Sequence, residues 1–125
     1  MNSTSPIALG VALTTAATLG PAADNSAVDA LLAKIRNPDD KIRGPAWQGA
    51  GPLGAPAVVP LAAVMTDPAF EVSRSARRAI EMIVRHAGRP GAEAERRAVA
   101  GELVKLLSSD ALAARRHALW MLSEI

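Results

Sequence analysis

The chain has 125 residues, half of them hydrophobic, with three aromatics (Trp47, Phe70 and Trp120), no Cys and a formal net charge of +2. That length allows one folded unit, and an apolar content made of Ala, Leu, Val and Ile argues for closely packed helices and against a β-sandwich or barrel. The near-neutral charge is far from the footprint of an obligate nucleic-acid binder, and the absence of Cys excludes disulfides, thiolate metal sites and a Cys nucleophile.

Residues 1–23 carry no charge. From Ile7 to Leu19 the stretch is apolar apart from Thr and Gly, and it ends in Gly20-Pro21-Ala22-Ala23. It is too short and too mild for a membrane span. An apolar run closed by small residues has the form of a secretory leader, which predicts an exported, periplasmic protein whose mature form lacks this segment. No Lys or Arg precedes the run, so an Ala/Thr-rich tail on a cytoplasmic protein stands as the other reading.

The remainder, 24–125, is organised by a repeat. Leu31, Ile35, Pro38, Ile42, Ala46 and Ala50 return 30 residues later as Leu61, Met65, Pro68, Val72, Ala76 and Ile80. A further 42 residues on come Leu103, Leu107, Asp110, Ala114, Ala118 and Leu122. Within each unit the apolar residues recur at i and i+4, the spacing of one helix face. The turns between the two runs, Asn37-Pro38-Asp39-Asp40, Asp67-Pro68-Ala69 and Ser109-Asp110, carry helix-start residues. Asn, Asp and Ser can cap an N-terminus, and Pro suits the first helical position.

The expected elements, in chain order, are helices over 26–36 and 40–50, then 56–66 and 70–87, then 93–107 and 110–124. Ser26-Ala27-Val28-Asp29 has capping-box spacing at the start of the first. Gly44-Pro45 conflicts with the second helix, unless that helix begins near Pro45, because Pro removes an intrahelical hydrogen bond. Gly49 to Pro56 and His86 to Gly91 break the chain between units 26–50, 56–87 and 93–124. A lone helical hairpin cannot bury its apolar stripe, whereas about three stacked hairpins can. The expected fold is therefore all-α, an α-solenoid of about three stacked helical hairpins. The chain stops at Ile125, directly after a second helix, which predicts either a piece of a longer array or self-association covering the open edge with its Leu106, Leu119 and Trp120.

Val59-Pro60-Leu61-Ala62 with Asp67-Pro68-Ala69-Phe70-Glu71-Val72, and Asn37-Pro38-Asp39-Asp40-Lys41-Ile42-Arg43, resemble bacterial HEAT repeats, with a Pro-Leu in the first helix, an Asp-Pro turn and a β-branched residue followed by Arg. The resemblance covers 24–125. It implies an armadillo-like helical architecture whose second helices line a concave surface for partners, and an Arg that ties neighbouring repeats. Arg43 and Arg115 match that position, and Ser73 departs from it. It does not imply a reaction: some HEAT-like proteins act on DNA or bilins, and fold alone does not choose.

Candidate site residues follow from the helical wheel of 70–87. If Val72, Ala76, Ala79, Ile80 and Ile83 face the core, Arg74, Arg78, Glu81 and Arg85 fall on the opposite side, and Arg116 and Trp120 take the equivalent stripe of the third unit. Arg116 and Trp120 stand at i and i+4, within reach of a cation–π contact. Arg74, Arg78, Arg85, Arg116 and Trp120 are thus the expected partner-binding residues, Arg and Trp being favoured interface anchors. An ordinary solvated face is the plainer reading of the same stripe. Trp47 reads as an inter-repeat packing residue. His86 suits a helix C-terminus, and His117, directly after Arg115 and Arg116, is in poor company for a metal. No nucleophile elbow, phosphate loop or dinucleotide fingerprint is present. The expectation is a non-catalytic scaffold that binds a protein, with no cofactor and no metal. Nucleic-acid binding through the Arg-rich face is the alternative, and a bilin-lyase-like role rests on fold analogy alone.

Overall fold

A computed structural model of the protein describes residues 26–125, so the leader reading of 1–23 lies outside the described residues. Those described form six α-helices and no strand: α1 (26–35), α2 (Asp40–Gln48), α3 (Val58–Val64), α4 (Phe70–Ala87), α5 (Glu93–Leu106) and α6 (Leu112–Glu124). No helix among them is long and apolar enough to cross a membrane.

The connections α1–α2, α3–α4 and α5–α6 repeat one local structure. The side-chain oxygens of Asn37, Asp67 and Ser109 accept from the backbone N–H two residues on, at Asp39, Ala69 and Ala111, at 2.8, 2.8 and 3.1 Å. Those three acceptors are spaced by the same 30 and 42 residues as the apolar positions. Each recipient is the extended N-cap of the following helix, with φ/ψ of −85/121°, −76/114° and −82/115°. The turn residues therefore set the entry into the helix instead of capping it, and Pro38 and Pro68 precede the N-cap. Only Asp39 caps with its own side chain, accepting from Lys41 N–H at 2.9 Å. Ser26 is already helical, so it does not cap α1.

Arg43 and Arg115 reach back to these turns. Arg43 Nη1 donates to the carbonyls of Asn37 and Pro38 at 2.9 and 2.7 Å, and Arg115 Nη1 donates to Ser109 O at 2.8 Å. Each bond lies within one unit, so these arginines lock the turn of their own hairpin, where the resemblance implies a tie between neighbours. In α2 this reverses the expected burial. Arg43 is buried, and Ile42 is 40% exposed beside Lys34, Lys41 and Pro45. The helix also runs through Gly44-Pro45 from Asp40, accepting the loss of one backbone bond at the exposed Pro45.

The core is one cluster. Val28, Leu31 and Ile35 of α1, Leu61 of α3, Ile80 and Ile83 of α4 and Leu103 of α5 are its main members. Helix α4 is the hub: it touches α2, α3, α5 and α6, while α5 also touches α3 and α6. Val72, Ala76, Ala79, Ile80 and Ile83, the stripe expected to face inward, are all buried. The segment between α2 and α3, expected to be a plain break, is instead two 3-10 turns, Gly51–Leu53 and Ala55–Ala57, with Ala50, Gly51, Gly54 and Ala57 buried. Gly54 adopts φ +69°, a conformation that only Gly takes without strain.

Gly51 has a different reason. A Cβ there would meet His86 Cβ at 2.9 Å and Met82 O at 3.2 Å, so the turn lies directly on α4. Gly51→Ala is expected to destabilise the fold by about 1–2 kcal/mol through overpacking, and Gly44→Ala, which meets nothing within 4 Å, should be neutral or stabilising. Chemical denaturation of both variants checks the contrast.

Candidate functional site

Helices α2, α4 and α6 lie side by side, α4 touching both others. Two grooves mark the seams. The first, about 180 Å³, lies between Asp40 and Trp47 of α2 and Glu71, Arg74 and Arg78 of α4. The second, about 420 Å³, lies between α4 and α6, with Val84 and Met121 supplying apolar lining and Glu81, Arg85, Trp120 and Glu124 supplying polar and aromatic groups. The first draws on the N-terminal half of α4 and the second on its C-terminal half, because successive turns of one helix turn toward different neighbours.

These seams divide the expected site residues. Arg74 and Arg78 fall in the first groove and Arg85 and Trp120 in the second, whereas exposed Arg116 lines neither. Arg74 is half-buried and its Nη1 lies 3.4 Å from Glu71 Oε1, an i,i+3 pair on the exposed side of α4. Arg78 is held over the ring of Trp47, its guanidinium carbon 5.1 Å from the centroid. The cation–π contact recorded among the described residues is thus Arg78–Trp47, across two helices, and Trp47 contributes to a groove as well as to packing. Trp120 is 53% exposed. Its ring neighbour is His117, with centroids 5.8 Å apart and planes at 74°.

Glu81 belongs to the expected stripe, but its neighbour His117 is the part of the site that the stripe did not reveal. His117 is only 6% exposed, and its Nε2 lies 3.8 Å from Glu81 Oε2, beyond hydrogen-bond reach. That nitrogen is buried without a hydrogen-bond partner. Burial, and secondarily the positive charge of Arg77, push the imidazole down to about 4, so at neutral pH the ring is uncharged and faces Glu81 as a dipole rather than an ion. The spacing alone carried a signal for this: His117 stands three residues after Ala114 and four before Met121, on the buried face of α6.

At the lower end of the second groove, Arg89 is already engaged. It donates to His86 O at 2.8 Å and to Glu95 Oε1 at 3.0 Å. The hydrogen bond from Arg89 holds the Glu95 carboxyl below its ordinary range against the opposing effect of desolvation, with the Arg89 charge and His86 adding to it. Together with Arg96 Nη1, which donates to Ala87 O at 3.3 Å, this ties the end of α4 to the start of α5 and fixes the mouth of the groove. Among the described residues no group of three His, Asp or Glu is arranged to hold a metal ion. No protein-family model, curated protein or solved structure matches the chain.

Proposed function

We propose that the chain is a non-catalytic protein-interaction scaffold, three HEAT-like hairpins stacked into a short α-solenoid, which engages a protein partner through the α2–α4–α6 surface. The thrice-repeated turn at Asn37, Asp67 and Ser109 supports the repeat. The contacts of α3 with α5, and of α4 with both α2 and α6, support stacking of like helices from successive units. The observation that carries the functional reading is that both tryptophans border grooves on this one surface, accompanied by Arg74, Arg78 and Arg85. Aromatic and Arg side chains at the rim of a preformed cleft are the usual anchors of a protein interface.

Nucleic-acid binding is the competing reading, and the distribution of acids disfavours it. Asp40 and Glu71 are set among Arg43, Arg74 and Arg78 in one groove, and Glu81 and Glu124 among Arg85 and Arg89 in the other, so neither offers the uninterrupted positive surface that tracks a phosphate backbone. The two readings separate in one comparison. An interaction scaffold retains a protein partner in a pull-down, and Trp120→Ser with Arg85→Glu abolishes that retention without changing the melting temperature. Tight binding to duplex DNA with a steep salt dependence, unmatched by any protein retention, contradicts the scaffold.

A second surface supports self-association. Val104 of α5 and Leu119 of α6 are 54% and 60% exposed, and Ala94, Ala98 and Gly101 are exposed on the same side of α5. Leu106, expected at this edge, is buried instead, because it turns toward α3 and α6. Association through the remaining apolar edge predicts that mass and thermal stability rise with protein concentration. Sedimentation that stays monomeric across the millimolar range, with a concentration-independent melt, contradicts it.

A further inference from the structure

We propose that the α4/α6 groove takes an arginine side chain from an extended segment of a partner protein, with the guanidinium on the open face of Trp120 between Glu81 and Glu124. The proposal rests on the reading of this surface as a protein interface and specifies its chemistry.

The chain contains its own template. In the groove on the other flank of α4, Trp47 carries the guanidinium of Arg78 at 5.1 Å, and Glu71 and Asp40 line the same groove. The α4/α6 groove repeats that composition with Trp120, Glu81 and Glu124, but no cation of the chain lies over Trp120 among the described residues. The ring is 53% exposed. A cation over an indole flanked by carboxylates is attracted by the ring quadrupole and by the charges together.

Charge gives the same sign. Neither Glu81 nor Glu124 forms a salt bridge with Lys or Arg among the described residues, whereas Arg89 is neutralised by Glu95 at 3.0 Å. That leaves two carboxylates beside Arg85, whose Nη1 donates to Met82 Sδ at 3.9 Å and forms no salt bridge among the described residues. With Arg89 already paired, the Glu81 and Glu124 carboxylates remain open to a further cation.

The buried Nε2 of His117 lies 3.8 Å from Glu81 Oε2, too far for a hydrogen bond, so it leaves the Glu81 carboxylate open. His117 also meets Glu81 and Arg77 of α4 as its charged neighbours. A guanidinium offers five donors in a planar fork, enough to serve Glu81 and Glu124 while stacking on the ring, which an ammonium does less well. The cavity, about 420 Å³, is in the range of side-chain and small-ligand sites. Val84 and Met121 in its lining offer apolar contact to the arginine methylenes.

The test uses the full chain and its two indole N–H resonances, assigned with Trp47→Phe. Capped Gly-Arg-Gly, Gly-Lys-Gly, Gly-norleucine-Gly and Gly-Glu-Gly peptides are titrated in turn. The arginine peptide is expected to shift the Trp120 resonance saturably and leave Trp47 in place, with lysine weaker and norleucine weaker still. Glu81→Gln and Glu124→Gln are each expected to weaken the arginine peptide by about fivefold or more. Binding of the glutamate peptide in preference to arginine at Trp120 overturns the proposal while leaving the surface an interface. An arginine affinity untouched by both Gln variants, or no shift with any peptide, also overturns it. Loss of the interface reading itself is seen separately, in a pull-down indifferent to Trp120→Ser.

Discussion

Ile80→Asp is expected to abolish cooperative unfolding, and Val72→Asp to do nearly the same. Ile80 is 1% exposed and Val72 7%, both on the face of α4 that meets the core. Because α4 touches α2, α3, α5 and α6, a carboxylate there has no local region to unfold into without releasing the helices packed around it. Burying an unpaired charge costs several kcal/mol, against a total stability of roughly 5–15 kcal/mol for a domain, with a small chain at the low end. Arg74→Glu, on the opposite side of the same helix, replaces a half-exposed pair with Glu71 by a like-charge contact, and is expected to cost about 1 kcal/mol or less. Circular dichroism melts of the three variants check the assignment. An Ile80→Asp protein that melts like the parent would show that this face of α4 is not the core face.

Stability is expected to fall as pH drops from about 6.5 to about 4, and His117→Phe is expected to remove much of that slope. The folded state holds the His117 imidazole down to about 4 from its usual 6.5, chiefly by burial and then by Arg77. The unfolded state therefore takes up a proton at about 6.5 that the folded state refuses until about 4. Between those values the unfolded state binds more protons, so folding weakens with acid. The loss is complete near pH 4 and amounts to roughly 3 kcal/mol at most, a ceiling set by the shift itself. Had the 3.8 Å approach to Glu81 been a true ion pair, the imidazole would be raised and acidification from pH 7 would strengthen the fold. Denaturant titrations at pH 7.0 and 4.5, on parent and His117→Phe, distinguish the signs. The depressed Glu95 carboxyl is stabilising above its unfolded value and loses that contribution only as pH falls through its folded one, below most of this window.

Much of the backbone was legible in the sequence because the repeat supplied three readings of one pattern. The bounds expected for α4, 70–87, are those observed, and the helix starts follow the shared turns at Asn37, Asp67 and Ser109. Departures arose where a single residue had two physical options. Ile42 was assigned to the core by spacing, but Arg43 takes the inner position because two turn carbonyls await its guanidinium. The stretch from Ala50 to Ala57 looked like a break through its Gly and Pro content, yet those same small residues let it lie on α4.

The site was legible as a stripe and not as pairs. Periodicity within α4 brought out Arg74, Arg78 and Arg85, and the repeat brought out Arg116 and Trp120. Which cation meets which indole depends on how far α2 and α6 slide along α4, a quantity that no single-helix pattern encodes. Hence Arg78 lies on Trp47, Arg116 stands outside both grooves, and Trp120 is left beside Glu81 and His117.

Partner binding is proposed on the surface of α2, α4 and α6. The most direct test is a backbone-amide chemical-shift map of the labelled full chain during titration with the protein retained in the pull-down. Perturbations are expected to concentrate on residues 74–89 and 116–124, with the largest at Arg85 and Trp120. Perturbations confined to the α3 and α5 surface, around Val59, Ala63 and Val104, would contradict that placement.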